Sequence, residues 1–208
     1  MIKAIIFDMD GVLIDAKEWH YVALNRALAK FGYEISRHDH LVTYDGLPTR
    51  DKLHMLTLQD GLPLGLHSFI NALKQKYTMQ LIHEKCAPFY AHQYALSRLK
   101  SEGYLISVAS NSIRSTIQSM MEQSQLIGYL DFFLSNEDVL NGKPDPEIYQ
   151  SAISRHSLIP EQCLIVEDNP HGIAAAKAAG GHVLEVDSIR EVNYWNIKGF
   201  IEKVEGIS

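Results

Sequence analysis

Two aspartates, Asp8 and Asp10, stand one residue apart after a short apolar run near the start of the chain, and Gly11 follows them. Residues 3–7 are predicted to form a buried strand, because apolar side chains occupy successive positions rather than alternate ones. Two like charges at the end of a buried strand are unfavourable unless a cation lies between them. Ligands of α/β proteins bind at the carboxyl ends of the strands. These residues therefore indicate a site for metal or phosphate chemistry.

Further polar side chains follow other predicted strands or lie on a loop between them: Ser110, Asn111, Lys143, Glu167 and Asp168. The carboxyl ends of parallel strands share one edge of a sheet, so we expect these groups to converge with the two aspartates. Carboxylates without a cysteine or histidine partner favour Mg²⁺ over zinc. A lysine and a hydroxyl group beside the cation suit a phosphate-like anion.

A phosphoryl group bound at such an edge has a defined chemistry. One aspartate can attack phosphorus and form an aspartyl phosphate. The metal and the lysine would neutralise charge on the group being transferred. The second aspartate can protonate the leaving oxygen and later activate water.

The elements that must position these residues are strands alternating with helices. Beyond the first strand, strands are predicted at 104–109, 132–134, 163–166 and 182–186. This alternation predicts an α/β protein with a Rossmann-like, doubly wound parallel sheet. The stretch between the first two strands has only helical patterns, which predicts an inserted small α-helical cap domain. The expected domains are residues 1–15 and 87–208 for the core and 16–86 for the cap.

Several helix starts are predicted from capping residues. Asp15 and Ser112 are expected to be N-caps, and Asn169 is expected to open the helix that follows the fourth strand. Asp145 is also predicted as an N-cap, with Pro146 at the first helical position. The segment after residue 186 is weakly patterned, and no element is predicted there.

Composition sets limits on partners and location. The chain has 208 residues and a formal net charge of −6 without a basic run, which argues against nucleic acid as a partner. The N-terminal apolar run is too short for a signal peptide or a membrane span, so no membrane partner is expected. Cys86 and Cys163 are far apart and predict free thiols in a reducing compartment, and hence a cytoplasmic protein. We expect a monomer that acts on a small phosphorylated metabolite.

Taken together and in order, these motifs resemble those of the haloacid dehalogenase (HAD) superfamily over nearly the whole chain. The segment from Asp8 to Val12 is similar to the DxDGx motif, and Ser110 is similar to the second motif. Lys143 in Gly-Lys-Pro-Asp-Pro resembles the third motif, and Glu167-Asp168 resembles the fourth.

The resemblance implies a role for each matching residue. Asp8 would be the nucleophile and Asp10 the general acid/base, whereas dehalogenases of this fold lack an aspartate at the second position. Ser110, Asn111 and Lys143 would bind the phosphoryl group. The resemblance implies Mg²⁺ as cofactor and a phosphatase as the activity, and the metal ligands would be Asp8, Asp10 through its backbone carbonyl, Asp168 and Glu167.

The predicted cap resembles the helical cap of subfamily I. His20 and the segment from Gly46 to Arg50 are similar to cap segments of β-phosphoglucomutase-type proteins, where such residues participate in gating and in contacting a substrate phosphate. His20 could equally be an ordinary interface histidine, and Arg50 a member of a surface ion pair. Two positions depart from the family pattern: Ala16 stands where Ser or Thr is frequent, and Asn169 where Ser is usual.

Two alternatives to a phosphatase stay open. A phosphomutase of the β-phosphoglucomutase type would use the same core with His20 and Arg50. A non-enzymatic phospho-acceptor module would also use an acidic pair on its first strand, Mg²⁺ and a late lysine. Here, however, Lys143 precedes the last acidic strand end, which is not the order found in such modules.

Overall fold

The computed structural model describes residues 1–44 and 47–207. Gly46, one end of the predicted phosphate-contacting segment, lies outside the described residues. The chain divides into two compact units, Met1–Asp15 with Cys86–Ser208 and Ala16–Lys85. Among the described residues, no helix has the length and apolar character needed to cross a membrane.

The first unit contains a parallel sheet, which confirms the predicted α/β fold. Its strands are β1 (Ala4–Phe7), β2 (Leu105–Ala109), β3 (Phe132–Leu134), β4 (Cys163–Glu167) and β5 (His182–Glu185). Their order across the sheet is β3-β2-β1-β4-β5. The strand that carries the acidic pair therefore lies at the centre, where every residue of β1 and β4 is buried. Continuous apolar runs are typical of such strands, because helices cover both faces.

The same unit contains α5 to α9. Their bounds are α5 (Tyr90–Ser101), α6 (Arg114–Gln123), α7 (Glu147–Arg155), α8 (Pro170–Ala178) and α9 (Tyr194–Glu205). Helix α8 turns a face of small residues inward, including Gly172, Ala175 and Ala176, so it packs closely on the sheet. Tyr149 of α7 lies with Ala175 and Ala176 in one cluster of buried side chains.

The second unit is helical throughout its regular elements. It contains α1 (Lys17–Leu28), the short α2 (Arg37–Asp39) with a π-helical turn at His40–Tyr44, α3 (Thr49–Asp60) and α4 (His67–Lys85). Leu24, Leu28, Leu53, Leu56 and Ile70 form the centre of its own hydrophobic core. This unit can therefore bury an apolar core independently of the sheet.

Some helix boundaries differ from the prediction. The N-cap of α1 is Ala16 rather than Asp15, and the N-cap of α6 is Ile113 rather than Ser112. Helix α7 starts at Glu147, one residue later than predicted, although Asp145 Oδ1 still accepts from the Glu147 N–H at 3.0 Å. Asn169 opens α8 as predicted: it is the N-cap, and its side chain accepts from the His171 N–H at 3.0 Å.

Helix α9 is absent from the prediction. Its buried residues Tyr194, Ile197 and Ile201 follow helical spacing. Trp195 beside them is 72% exposed and obscures that spacing in the sequence. A stronger signal lay at its ends, where the Asn193 side chain accepts from the Asn196 N–H and Gly206 adopts a φ of 69°.

Candidate active site

The register of the sheet brings three strand ends to one level. Phe7 is paired with Val108 on one side and with Val166 on the other. The next residue along β1 is Asp8, and the next along β4 is Glu167. The Asp8 N–H donates to the Val166 carbonyl at 3.0 Å, so the central strand continues its ladder up to this carboxylate.

The chain turns sharply just beyond Asp8. Gly11 has a φ of 94°, which is in the region that side chains other than glycine rarely adopt. Its N–H donates to the Ile14 carbonyl at 2.7 Å, and the Ile14 N–H donates to the Met9 carbonyl at 2.9 Å. Asp10 is thus held at the start of a closed turn directly beyond the sheet edge.

Lys143 connects the acidic groups of two strands. Its Nζ donates to Asp8 Oδ1 at 2.5 Å and to Glu167 Oε1 at 2.7 Å, and its side chain is only 5% exposed. A buried ammonium needs such partners, because an unpaired charge away from water is very costly. The structure therefore brings together the predicted nucleophile, the predicted phosphate-binding lysine and one member of the second acidic pair.

Glu167 is held by four protein donors. Besides Lys143, the Tyr149 hydroxyl donates to Oε1 at 2.6 Å. The backbone N–H groups of Asp168 and Asn169 donate to Oε2 at 3.0 and 3.3 Å. A carboxylate offers about four acceptor positions, so Glu167 uses its full capacity within the protein.

Helix α8 makes room for this carboxylate. A Cβ atom at Gly172 would lie 1.8 Å from Glu167 Oε1, far inside any allowed contact. Only glycine fits there while Glu167 keeps its four bonds. This gives a physical reason for a glycine in the first turn of α8.

Charges within the cluster act on one another. Burial alone would lower the pKa of Lys143, but the Asp8 and Glu167 carboxylates raise that pKa above its usual value. Burial raises the pKa of the Asp8 carboxyl, while Lys143 opposes this effect. Burial, followed by the charge of Glu167, raises the pKa of Tyr149 well above its usual value, so its phenol stays a donor. Lys143 is therefore a cation at neutral pH.

Asn111 contacts the backbone of the lysine loop. Its Oδ1 accepts from the Lys143 N–H at 2.9 Å, and its Nδ2 donates to the Lys143 carbonyl at 3.2 Å. These bonds anchor the loop that carries the lysine to the end of β2. Phosphate binding by Asn111 stays a prediction beside this structural role.

Ser110 and Asp10 are linked through Ser112. The buried Ser110 Oγ accepts from the Ser112 N–H at 3.1 Å. The Ser112 hydroxyl donates to Asp10 Oδ2 at 3.0 Å. The hydroxyl that was predicted to cap α6 instead contacts the predicted general acid/base.

Asp8, Glu167 and Asp168 form a cluster able to hold a metal ion. One carboxylate oxygen from each lies within 4.8 Å of the others. All three donors are hard oxygen ligands, which Mg²⁺ prefers, and they are fixed by the ends of β1 and β4. The residues present therefore fit a divalent cation.

The two cap candidates lie in the helical unit, in different surroundings. His20 is half-buried on α1, where its backbone N–H donates to the Ala16 carbonyl at 3.1 Å. The Arg50 side chain is 88% exposed at the start of α3, with Nε 3.1 Å from Asp51 Oδ1. Roles for either residue in substrate binding stay predictions.

Known proteins are similar to this chain in sequence and in fold. The chain matches the family model for haloacid dehalogenase-like hydrolases over residues 5–186. It is 30% identical over 183 residues to a phosphorylated carbohydrates phosphatase of Thermotoga maritima, which covers 86% of this chain and 82% of that protein. The chain belongs to the haloacid dehalogenase-like hydrolase family.

Two further relatives bear the name of a mutase. A β-phosphoglucomutase of Bacillus subtilis is 27% identical over 187 residues, covering 86% of this chain and 80% of that protein. The crystal structure of a β-phosphoglucomutase from Clostridium difficile has the same fold, with a TM-score of 0.85 at 24% identity over 100% of this chain and 99% of that one. The predicted superfamily and fold are confirmed, and the named phosphatase relative confirms the predicted class of enzyme.

Sequence reasoning missed three residues of this site: Tyr149, Gly172 and Ser112 in its observed role. Tyr149 and Gly172 stand at none of the positions for which the sequence analysis predicts a role. The hydroxyl of Ser112 satisfied the rule for an N-cap, so its chain position suggested a local partner rather than one 102 residues away.

Proposed function

We propose that the protein is a Mg²⁺-dependent phosphatase that hydrolyses a small phosphorylated carbohydrate, a sugar or polyol phosphate, through an aspartyl phosphate on Asp8. One observation carries the proposal: two aspartates one residue apart have different partners. Asp8 bonds to the buried Lys143 ammonium, while Asp10 bonds to the Ser112 hydroxyl. The Thermotoga maritima relative, whose name specifies phosphorylated carbohydrates, supports the substrate class.

The proposed reaction has two steps. First, a carboxylate oxygen of Asp8 attacks phosphorus, the bond from phosphorus to the sugar oxygen breaks, and Asp10 gives its proton to that oxygen. Then Asp10 takes a proton from water as the water oxygen attacks phosphorus. The bond between Asp8 and phosphorus breaks, and inorganic phosphate leaves. Each aspartate thereby returns to its starting state.

Lys143, Ser110 and Asn111 would bind the phosphoryl group. Lys143 is already cationic and fixed by Asp8 and Glu167, so it can offset negative charge without reorganisation. Asn111 contributes by holding the lysine loop. Ser110, at the carboxyl end of β2, supplies a hydroxyl group at the same edge.

The side chains of Asp8 and Asp168 and the backbone carbonyl of Asp10 would hold Mg²⁺, and Glu167 belongs to the same carboxylate cluster. Glu167 already accepts from four protein donors, so we assign it chiefly to holding Lys143. When bound, the cation supplies charge stabilisation for the transferring group. It would also favour the ionised form of Asp8, whose pKa burial raises.

Hydrolysis of p-nitrophenyl phosphate tests the chemistry. We expect activity that requires Mg²⁺, is lost with a chelator, and falls at least about a thousandfold in Asp8→Asn. Asp187→Asn, at an exposed position of the same unit, serves as the matched control and should keep full activity. An Asp8→Asn variant that retains activity would disprove the assigned nucleophile.

Titration calorimetry with Mg²⁺ tests the ligand set separately from turnover. Asp168→Asn should lose Mg²⁺ binding, while Asp10→Asn should retain it because only its backbone carbonyl would be a ligand. Glu167→Gln should weaken binding less than Asp168→Asn does. Loss of Mg²⁺ binding in a folded Asp10→Asn protein would contradict this division.

A screen of phosphorylated carbohydrates for phosphate release tests the substrate class. A second candidate, a β-phosphoglucomutase-type phosphomutase, is favoured by the Bacillus subtilis relative. Incubation with β-glucose 1-phosphate and a bisphosphate primer separates the two, because only a mutase forms the 6-phosphate. A long-lived aspartyl phosphate without turnover would instead indicate a phospho-acceptor module.

We also propose that the protein is a cytoplasmic monomer. Cys86 and Cys163 are free thiols, and burial raises the pKa of each to about 11, which leaves them unreactive at neutral pH. Such thiols suit a reducing compartment. Sedimentation analysis of the purified protein tests the oligomeric state, and fractionation of its cells tests the location.

A further inference from the structure

The backbone of Ser112 is held by hydrogen bonds at both its N–H and its carbonyl. Its N–H donates to Ser110 Oγ at 3.1 Å, and its carbonyl accepts from the Asn136 N–H at 3.2 Å. The residue precedes Ile113, the N-cap of α6, so its side chain is not used to begin the helix. Its backbone is therefore anchored between the ends of β2 and β3, and its hydroxyl points from a rigid position.

That hydroxyl donates to Asp10 Oδ2 at 3.0 Å. Asp10 is half-buried and begins the turn beyond the sheet edge, so the orientation of its carboxyl group depends on the bonds that its oxygens accept. A bond to one named oxygen restricts rotation about the bond that carries the carboxyl group. Because proton transfer to a leaving oxygen depends on position before anything else, this restriction has a direct use.

We propose that Ser112 is a positioning residue for Asp10: its hydroxyl holds the Asp10 carboxyl group in the orientation from which it protonates the leaving oxygen. This rests on the proposed phosphatase function and deepens it. Ser112 forms no bond to the reacting atoms in this assignment. Its effect on the first step should therefore depend on whether the leaving oxygen needs a proton, whereas its effect on the second step, in which Asp10 takes a proton from water, should be the same for every substrate.

Two substrates with different leaving groups separate this role from others. A sugar phosphate releases an alkoxide, which must be protonated, whereas p-nitrophenyl phosphate releases a stable phenolate. For Ser112→Ala we expect the rate of sugar release in the first turnover to fall about tenfold, with the affinity for the sugar phosphate little changed. The rate of p-nitrophenolate release in the first turnover should change by less than about twofold.

Three further variants complete the experiment. Ser112→Thr retains the hydroxyl and should restore most of the activity on the sugar phosphate. In an Asp10→Asn background, Ser112→Ala should cause no further loss, because the group it positions is gone. Ser115→Ala, the same substitution at an exposed position of α6, is the matched control and should behave like the unmodified protein.

Equal losses of the first-turnover rate on both substrates in Ser112→Ala would overturn the proposal, and so would an undiminished first-turnover rate on the sugar phosphate. Failure of the proposed phosphatase function looks different, because the unmodified protein would then hydrolyse neither substrate. In that case crystal structures decide the positioning role. The Asp10 carboxyl should have one orientation in the unmodified protein and a different or a divided one in Ser112→Ala; an identical orientation in both would overturn the proposal.

Discussion

The sheet edge and the helical unit hold their predicted functional residues in opposite ways. At the sheet edge, Lys143 is 5% exposed and bonds to two carboxylates from different strands. In the helical unit, the Arg50 side chain is 88% exposed and contacts the adjacent Asp51. A group fixed by buried bonds is ready for one reaction, whereas an exposed side chain can adapt to a ligand. The contrast therefore separates a region in which burial fixes the functional side chains from one in which the candidate side chain is exposed.

Among the substitutions that test this contrast, Lys143→Met should have the largest effect. This substitution leaves Asp8 and Glu167 buried without the ammonium group that they share, so the free energy of unfolding should fall by about 3–5 kcal/mol. Activity on p-nitrophenyl phosphate should fall at least about a hundredfold. Chemical denaturation and steady-state kinetics measure the two effects.

Lys177→Met is the matched control, because Lys177 pairs with Glu185 where both side chains are more than half exposed. It should change the free energy of unfolding by less than about 1 kcal/mol. If the two lysine variants were equally stable, the importance given to burial at the sheet edge would be wrong.

A smaller effect is expected from Gly172→Ala. The new Cβ would meet Glu167 Oε1, and that carboxylate cannot move without losing bonds from Lys143 and Tyr149. We expect destabilisation of about 1–3 kcal/mol together with reduced activity. Thermal unfolding and phosphate release measure both.

Gly199→Ala on α9 provides the control, since the Cβ it would add meets no described atom within 4 Å beyond its chain neighbours and the nearby backbone of its own helix. There the loss of backbone freedom in the unfolded chain should stabilise the protein by about 0.4–1 kcal/mol. Two substitutions of the same kind should thus have opposite signs. If both substitutions changed the free energy of unfolding in the same direction, the Cβ added at Gly172 would not come as close to Glu167 as described.

Tyr149→Phe should have a moderate effect. It removes the hydroxyl that donates to Glu167 but keeps the ring, which lies 4.7 Å from Lys143 Nζ. A cost of about 1–2 kcal/mol in the free energy of unfolding is expected, with a decrease in kcat of a few-fold. Tyr33→Phe in the helical unit removes an exposed hydroxyl that is 3.3 Å from the Gly61 carbonyl, and should have almost no effect. Equal costs for the two tyrosines would remove the contrast between the regions.

The smallest effect on stability is expected from Arg50→Ala. Its exposed pair with Asp51 should contribute less than about 0.5 kcal/mol. If Arg50 contacts the substrate, KM for the sugar phosphate should rise while kcat on p-nitrophenyl phosphate stays constant. Lys30→Ala, at another exposed cation of this unit, is the control and should leave KM unchanged. An unchanged KM for Arg50→Ala would remove this residue from the list of substrate contacts.

Some of the fold was predictable because its signals are local. Residues 4–7 and 163–166 are apolar at successive positions, which is enough to identify buried parallel strands. Helix α9 was missed because the exposed Trp195 lies beside its buried positions. The misplaced cap at Asp15 has a related cause, since several residue types can precede a helix without bonding to it.

The sequence by itself determined the class of fold, the strand ends that carry carboxylates, and the residue types available for phosphoryl chemistry. These follow from short-range periodicity and from the side chains themselves. Tertiary structure alone decided which donor meets which oxygen: Tyr149 and Lys143 on Glu167, and Ser112 on Asp10. Hydrogen bonds depend on placement to within a few tenths of an ångström, and a hydroxyl serves a nearby helix end or a distant carboxylate equally well. Only the packing of the strands against one another selects between such partners.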